Sequence, residues 1–376
     1  MTHERNIDET RGRFRGCLLG GAVGDALGAS VEFLSRGEIL ERFGPEGITD
    51  YAPIYGGLGR ITDDTQMTLF TAEGLSRGWV RGAIKGITTY PGVTAHAYLR
   101  WLQTQGEEPQ HDIMIGPNPL GWEPGWLIQQ RALHDRRAPG NTCLSALREM
   151  PSLGAWARNN SKGCGGVMRV APVGLFGWHF RQDQAPEDVF RLGAELAALT
   201  HGHPTGQLTA GTLAILILSL TDGATLTEAL ENAKACLRQE PRHEETLRAI
   251  VQAETLAGTG TPHAEAIAQL GQGWIAEEAL AIALYCTLVA EDFQQGITLA
   301  VNHDGDSDST GAIAGNLLGA WLGERSIPAR WLEPLELRDV IAEVAEDLLT
   351  FPAWDIDDAV SNVAEYERIW QKYPGF

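Results

Sequence analysis

The segment Asn302-His303-Asp304-Gly305-Asp306-Ser307-Asp308-Ser309-Thr310 leads into an apolar, glycine-rich run from Gly311 to Gly319. Three carboxylates stand at alternate positions, and hydroxyl side chains follow them where the apolar run predicts a helix. Far upstream, the cluster Thr62-Asp63-Asp64-Thr65 opens another apolar run, Met67 to Leu75. Two acidic clusters at helix entrances offer the oxygen ligands that a hard divalent cation such as Mg²⁺ or Mn²⁺ prefers.

An EF-hand loop and simple helix capping are the plainer explanations of the acidic segment. A calcium loop beginning at Asp304 needs Gly at its sixth position and Glu at its twelfth, where the chain has Ser309 and Gly315. Asp, Ser and Thr are preferred N-caps, which explains one or two of these residues but not five in a row. Capping explains the cluster at 62–65 as well as a metal site does. The two clusters together favour the metal site, because buried carboxylates without a cation are costly.

The composition favours a soluble, cytoplasmic protein with a substantial core. Of 376 residues, 43% are hydrophobic, and no linker or repeat divides them, so we predict a single domain over residues 1–376. The 49 acidic and 29 basic residues give a net charge of −20. This charge repels phosphate backbones and anionic lipid, so neither nucleic acid in general nor a membrane is expected as a partner.

Targeting and redox signals are sparse. The polar start of the chain lacks the apolar core of a signal peptide, and apolar stretches such as 208–220 are shorter than a bilayer requires. The five cysteines are scattered without a Cys-x-x-Cys pair, which argues against a disulfide framework or a zinc site.

Helical periodicity dominates the chain and predicts an all-α fold, a compact orthogonal helical bundle. Gly78 is predicted to end the second helix. Short strand candidates lie at 167–173 and, in competition with a helix, at 297–301. The predicted helices cover residues 11–29, 64–76, 93–103, 122–134, 142–149, 186–199, 207–220, 226–239, 244–257, 275–290, 293–302, 309–322, 335–349 and 358–373.

Glycines recur four residues apart in two of these helices. A glycine inside a helix costs roughly 1 kcal/mol relative to alanine, so the repetition predicts close backbone approach between helices. Neither segment has the Gly-Lys-Ser/Thr ending of a phosphate-binding P-loop. The spaced glycines are Gly16, Gly20, Gly24 and Gly28 in the first helix, and Gly311, Gly315 and Gly319 in the later one.

Five motifs in a fixed order make the chain resemble the ADP-ribosylglycohydrolase family over residues 16–323. The motifs are Gly24-Asp25-Ala26-Leu27-Gly28 with Glu32-Phe33, Thr62-Asp63-Asp64-Thr65-Gln66-Met67, Lys162-Gly163-Cys164-Gly165-Gly166-Val167-Met168-Arg169-Val170-Ala171-Pro172, Thr200-His201, and Gly305-Asp306-Ser307-Asp308-Ser309-Thr310-Gly311. The resemblance implies an all-α fold with a binuclear Mg²⁺ or Mn²⁺ cleft. It also implies hydrolysis at the ribose anomeric carbon, which releases ADP-ribose from an ADP-ribosylated protein or small molecule.

The resemblance assigns roles by position in this sequence. The implied metal ligands are Thr62, Asp63, Asp64, Asp306, Asp308 and Ser309. The implied catalytic residues are Asp63, Asp64 and Glu32. The implied substrate-binding residues are Gly163, Cys164, Gly165, Gly166, Met168 and His201.

Specificity is the least determined feature. The Gly-Asp-Ser-Asp-Ser form favours arginine-linked substrates. Some arginine-type members also carry an acid just before a Gly-Asn-Thr, and here Gly140-Asn141-Thr142 follows Arg137-Ala138-Pro139, with Asp135 out of register. Cys164 stands where some relatives have Asn. We expect His303 to support the acids rather than bind metal, and Trp122 or Trp126 is a candidate for stacking on adenine.

Two other functions fit parts of the sequence. The run 306–310 matches the Asp-x-Asp-x-Thr motif of haloacid dehalogenase-type phosphatases, which requires a parallel sheet and a strand at 297–301. A non-catalytic ADP-ribose-binding protein would keep the cleft without turnover.

Overall fold

Most predicted helices form within a few residues of their predicted ends. The computed structural model describes residues 2–113, 125–356 and 362–375, and of residues 2–6 the backbone alone. This part of the chain contains no β-strand, only the isolated bridges Ile54–Gly57 and Gly163–Ile275, which confirms the all-α fold class. In chain order the helices are α1 (Thr2–Gly28), α2 (Arg36–Phe43), α3 (Asp63–Lys85), α4 (Tyr90–Thr104), α5 (Asn141–Arg148), α6 (Ala171–Gly177), α7 (Pro186–Ala198), α8 (Pro204–Thr221), α9 (Leu226–Leu237), α10 (Glu244–Ala257), α11 (His263–Leu270), α12 (Ala276–Val289), α13 (Phe293–Val301), α14 (Ser307–Leu322), α15 (Ala329–Leu332), α16 (Arg338–Thr350) and α17 (Val363–Lys372).

The glycine-spaced helices α1 and α14 pack against each other with their backbones in contact. A Cβ atom added at Gly24 would lie 1.9 Å from the carbonyl oxygen of Gly311, and one added at Gly28 would lie 2.2 Å from that of Ser307. The predicted close approach is therefore confirmed. Because the later glycine of α1 meets the earlier residue of α14, the helices are antiparallel. The end of α1 and the start of α14 consequently lie side by side.

Helix α3 continues past the glycine that was predicted to end it. Gly78 lies inside α3, so that prediction is wrong. A Cβ atom there would lie 2.6 Å from the ring of Tyr90, which shows that this glycine makes room for α4. The helix ends at Gly86, whose φ of 67° and N–H bond to the Gly82 carbonyl form a left-handed C-cap.

Helices α8 and α12 are apolar on all sides because they lie in the interior. By length and composition α8 could cross a membrane, but 89% of it is buried inside the fold, as in a core helix. One continuous cluster of buried apolar side chains extends from Phe14 in α1 to Tyr373 after α17. The two ends of the described chain therefore share one core.

Two local predictions fail, and one pair of alternatives is decided. The strand predicted at 167–173 is replaced by a turn and by α6, which carries Pro172 in its first turn. At 297–301 the helix is correct and the competing strand is wrong, since the segment belongs to α13. Of the helix predicted at 122–134, residues 122–124 lie outside the described residues, and the remainder forms the 3₁₀ turns Leu127–Gln129 and Arg131–His134.

Helices α2, α6, α11 and α15 were not predicted. A signal for α2 was present: Ser35 and Glu38 form a capping box, in which each side chain bonds the backbone N–H of the other residue.

Candidate metal and substrate site

Three chain segments meet where α1 ends and where α3 and α14 begin. Thr62 caps α3, since its Oγ1 accepts the N–H of Asp64 at 3.3 Å. Asp306 caps α14 in the same way, accepting the N–H of Ser309 at 3.3 Å. The capping interpretation is thus correct for one residue of each cluster. The remaining acids need another explanation.

The acids from these segments form one buried group. One side-chain oxygen each of Glu32, Asp306 and Asp308 lie within 4.8 Å of one another. Asp63 and Asp64 are equally buried, at 4% and 3% exposure, and line the same cleft. The packing of α1 on α14 thus places Glu32 beside acids that lie about 270 residues later in the chain.

Burial and mutual repulsion make these carboxylates hard to ionise. Burial, reinforced by the charge of Asp308, raises the pKa of Glu32 to about 11. The same causes, in the same order, raise the pKa values of Asp63, Asp64 and Asp306 well above the usual range of aspartate. Among the described residues, no lysine or arginine forms an ion pair with any acid of this buried group.

Two buried oxygens in this group accept no hydrogen bond from the described residues: Oε2 of Glu32 and Oδ1 of Asp64. Leaving such atoms bare is costly, whereas a divalent cation would stabilise them together with their ionised neighbours. The donor atoms are carboxylate and hydroxyl oxygens, which suit Mg²⁺ or Mn²⁺. The residues therefore fit the expected class of metal.

Asp25 is a further functional candidate, for which no role was predicted from the sequence. It is fully buried, and its carboxylate accepts the backbone N–H of Thr62 at 3.0 Å and that of Thr65 at 3.1 Å. Burial, then the charge of Asp308, raises its pKa to about 7. Asp25 therefore holds the turn that carries Asp63 and Asp64. Its place in the Gly24–Gly28 motif was the available signal.

The acids lie at the floor of a cleft of about 600 Å³. Of the predicted substrate-binding residues, five line it: Gly163, Cys164, Gly165, Met168 and His201. Gly166 lies behind this wall, where a Cβ atom would come within 3.2 Å of Ala197 and of the His201 ring. The glycine loop and His201 thus form one side of the cleft.

Cys164 contacts the acids directly. Its thiol donates to Oδ2 of Asp306 at 2.7 Å. Burial and the charge of Asp306 raise the pKa of Cys164 well above its usual value. The thiol therefore stays protonated, which argues against a nucleophilic role for Cys164.

Neither histidine near the site is suited to bind a metal or carry a charge. His201 shares a hydrogen bond of 2.8 Å between its Nδ1 and the Thr200 hydroxyl, and burial lowers its pKa to about 3. In His303, Nε2 lies 2.8 Å from the Thr310 hydroxyl and Nδ1 lies 2.9 Å from the Asp304 carbonyl. His303 therefore supports the turn of acids and has no ring nitrogen left for a metal.

The second wall of the cleft contains none of the predicted site residues. Residues 136 and 138–142 line it, and the Gly140 N–H donates to Oδ2 of Asp63 at 3.3 Å. Asp135 instead pairs with Arg137, at 2.8 Å. This carboxylate does not line the cleft. The sequence signals in this wall were the Gly140-Asn141-Thr142 sequence and the start of the helix predicted at 142–149, and neither was assigned a role in binding.

The aromatic residues at the cleft also differ from those predicted. Trp126 contacts Lys372, whose Nζ lies 4.3 Å from its ring centroid, and does not line the cleft. Trp122 lies outside the described residues. Phe33 and Trp274 line the cleft instead.

Comparisons with known proteins agree with this geometry. A family model described as ADP-ribosylglycohydrolase matches residues 6–355. The chain is 27% identical to the ADP-ribosyl-[dinitrogen reductase] glycohydrolase of Rhodospirillum rubrum, covering 87% of this chain and 91% of that one. It is 26% identical to the ADP-ribosylarginine hydrolase Tri1 of Pseudomonas putida, covering 93% and 80%. A solved structure titled ADP-ribosylglycohydrolase-related protein complex superimposes with a TM-score of 0.66 at 28% identity, covering 92% and 99%.

Proposed function

The chain belongs to the ADP-ribosylglycohydrolase family, and from that premise we propose that it is a metal-dependent hydrolase that releases ADP-ribose from ADP-ribosylated arginine. The observation that carries the proposal is the group of buried carboxylates that no lysine or arginine of the described chain neutralises. A stable fold tolerates such a group when a cation from solution binds it.

The proposed ligands are Thr62, Asp63, Asp64, Asp306, Asp308 and Ser309. All of them line the cleft except Thr62, which caps α3 next to Asp63. An oxygen of Glu32 lies close to those of Asp306 and Asp308 and can join them. When bound there, two Mg²⁺ or Mn²⁺ ions would orient ribose hydroxyls and lower the pKa of a water molecule. Gly163 and Gly165 line the cleft without a side chain, so a diphosphate can approach the backbone of this loop closely.

The proton from the attacking water has a defined acceptor in this proposal. Oδ2 of Asp63 already accepts the Gly140 N–H, whereas Oδ1 of Asp64 is without a donor among the described residues. Asp64 therefore takes the proton as the water oxygen bonds to the anomeric carbon. The bond from that carbon to the acceptor nitrogen breaks, and its electron pair stays on the nitrogen. The proton taken by Asp64 then passes to the departing guanidine, so that Asp64 is ionised again. Glu32, beside the same acids, positions the substrate.

Arginine is the proposed linkage because the chain is similar to two glycohydrolases, one of them named for ADP-ribosylarginine, and because it carries the Gly305–Ser309 motif. Asp135 is bound to Arg137, so recognition of arginine would depend on other residues of the cleft.

The phosphatase alternative is wrong, because it requires a parallel sheet and the described residues contain no strand. The alternative of a non-catalytic ADP-ribose-binding protein makes a different prediction in the same assay. It binds ADP-ribose but releases none from a modified substrate.

The test measures free ADP-ribose released from an arginine-ADP-ribosylated protein, with Mg²⁺ and after EDTA, beside serine-linked ADP-ribose and O-acetyl-ADP-ribose. Release from the arginine substrate that EDTA stops and Mg²⁺ or Mn²⁺ restores is the expected result. Release that survives EDTA contradicts the metal assignment, and release from another linkage alone contradicts the assignment of arginine.

A further inference from the structure

Two exposed aromatic rings face each other at the cleft. Phe33 is 71% exposed and Trp274 is 40% exposed, whereas most large apolar side chains of the fold are buried. Their ring centroids lie 6.1 Å apart with an interplanar angle of 20°. Nearly parallel rings that stay exposed on a cleft provide a flat apolar surface for a planar ligand group.

Both rings lie close to the acids at which the anomeric carbon is placed. Phe33 directly follows Glu32, so their Cα atoms are about 3.8 Å apart. The Trp274 carbonyl accepts the N–H of Cys164 at 3.1 Å, and the Cys164 thiol donates to Asp306. A Cβ atom added at Gly273 would lie 3.3 Å from that of Asp306. The aromatic pair therefore borders the acid group from two chain segments.

The position of the aromatic pair beside the acids determines which part of the substrate it contacts. In an ADP-ribosylated side chain, adenine is separated from the reacting anomeric carbon by a ribose, two phosphates and part of the second ribose. The acceptor group is bonded to that carbon. A surface beside the acids therefore meets the acceptor and not the adenine.

The acceptor chemistry that fits is a planar cation. Guanidinium stacks on aromatic faces, where the ring quadrupole attracts its charge. Arg136, the arginine in the cleft wall, is paired with Glu107 at 2.9 Å, which offsets its repulsion of a cation.

We propose that Phe33 and Trp274 form the subsite that binds the guanidinium of ADP-ribosylated arginine by stacking. The inference rests on the proposed function, because it assumes that the anomeric carbon is placed at the acids. It supplies an element of arginine recognition that Asp135, bound to Arg137, does not provide.

The experiment compares Phe33→Leu and Trp274→Leu with the wild type. Leucine keeps apolar bulk and removes the aromatic face. Trp156→Leu is the matched control, since Trp156 is 59% exposed and lies outside the cleft lining. The kcat/KM is measured on arginine-linked and serine-linked substrates with Mg²⁺ present, and the Kd of free ADP-ribose is measured by calorimetry.

The expected result is a loss of about tenfold in kcat/KM on the arginine substrate for each variant. The loss on the serine substrate should be at most about twofold, because the serine linkage has no cation to stack. The Kd of ADP-ribose should stay within about twofold of the wild-type value, and Trp274→Phe should recover most of the loss. Trp156→Leu should match the wild type on both substrates.

Equal losses on both substrates together with weaker ADP-ribose binding would assign the pair to the adenine or to the loop, and would overturn the subsite. Unchanged kinetics in both leucine variants would overturn it as well. A wild-type protein that releases ADP-ribose from serine alone overturns the subsite but keeps the hydrolase. A wild-type protein that binds ADP-ribose and releases none overturns the proposed function itself.

Discussion

Two groups of fully buried carboxylates in this protein differ in where their counter-charge comes from. Glu73 in α3 is inaccessible to solvent, and its oxygens meet Arg100 at 2.8 Å and Arg77 at 3.4 Å. Asp306 and Asp308 are as deeply buried, yet they meet other acids. Both groups are buried carboxylates, and only the partner distinguishes a structural acid from a candidate metal ligand.

The comparison explains why the acid group needs a ligand from outside the chain. Removing a carboxylate from water costs several kcal/mol, on the order of the whole stability of a domain, unless a cation compensates it. In the first group α3 and α4 supply that cation. In the second group the chain supplies helix N-termini and hydroxyl groups, which help an anion without neutralising it.

The largest expected effect comes from removing an acid of the unpaired group. Asp306→Ala should lower kcat/KM by about 10⁴-fold or more, equivalent to about 5 kcal/mol, because a metal ligand is lost. Asp292→Ala is the matched control: Asp292 caps α13 by accepting the Gln295 N–H at 2.8 Å, and it lies outside the cleft. Both variants should lose about 1 kcal/mol of capping stability. Wild-type turnover in Asp306→Ala would contradict the proposed metal-binding role of the unpaired acids.

The paired group should respond in stability instead. Arg100→Met leaves Glu73 buried with a poorer partner and should lower the free energy of unfolding by about 3–5 kcal/mol, measured by urea denaturation. The activity of the folded fraction should remain within a few-fold of the wild type. Arg191→Met, which removes an arginine from an exposed pair with Asp188, should change stability by less than about 0.5 kcal/mol. Equal stability of the two variants would contradict the structural role of Glu73.

A smaller effect is expected where the packing of α1 on α14 brings the unpaired acids together. Gly24→Ala places a Cβ atom 1.9 Å from the Gly311 carbonyl oxygen and should cost about 1–3 kcal/mol through overpacking. Activity should also fall, because Glu32 moves relative to Asp306. Gly12→Ala in the same helix meets no atom within 4 Å, so it should stabilise the protein by about 0.5–1 kcal/mol. A stability loss in both variants would indicate that α1 tolerates no alanine for reasons other than α14.

The smallest expected effect is a pH dependence of the metal-free protein. Burial raises the pKa of Asp25 to about 7, whereas in the unfolded chain it returns to about 4. The folded state therefore binds more protons in this window, and stability is lost as pH rises from about 4 to about 7. In EDTA the Tm should fall by at least about 2 °C between pH 5 and pH 7, because the neighbouring acids with raised pKa values act in the same direction as Asp25. Saturating Mg²⁺ should abolish the fall. A Tm that rises with pH in EDTA would contradict the account.

The sequence predicted features that depend on local chemistry and missed those set by tertiary neighbours. The four-residue spacing of glycines indicated a close helix contact, but the pairing of Gly24 with Gly311 required the fold. Gly78 is predicted to end a helix, but its lack of a side chain instead allows close contact with Tyr90. The β-branched residues near Val167 favour a strand. The sequence alone does not show that this segment packs among helices, where it forms a turn and the start of α6.

The residues of the candidate site also fall into those that a sequence pattern can detect and those that only the fold brings together. Asp63, Asp64, Asp306 and Asp308 stand in dense clusters that a sequence pattern can detect, and all four line the cleft. Phe33 and Trp274 lie in turns about 240 residues apart and belong to no periodic pattern. Their contact arises from the fold, so no spacing in the chain announces it.

The proposed metal dependence is best tested by a calorimetric titration of the metal-free protein with Mn²⁺ and Mg²⁺, carried out alongside Asp306→Asn and the control Asp292→Asn. We expect saturable binding of two ions per chain in the wild type and in Asp292→Asn, and loss of at least one ion in Asp306→Asn. ADP-ribose release should follow metal occupancy, as the proposal requires. A wild-type protein that binds no divalent cation, yet releases ADP-ribose in EDTA, would contradict it.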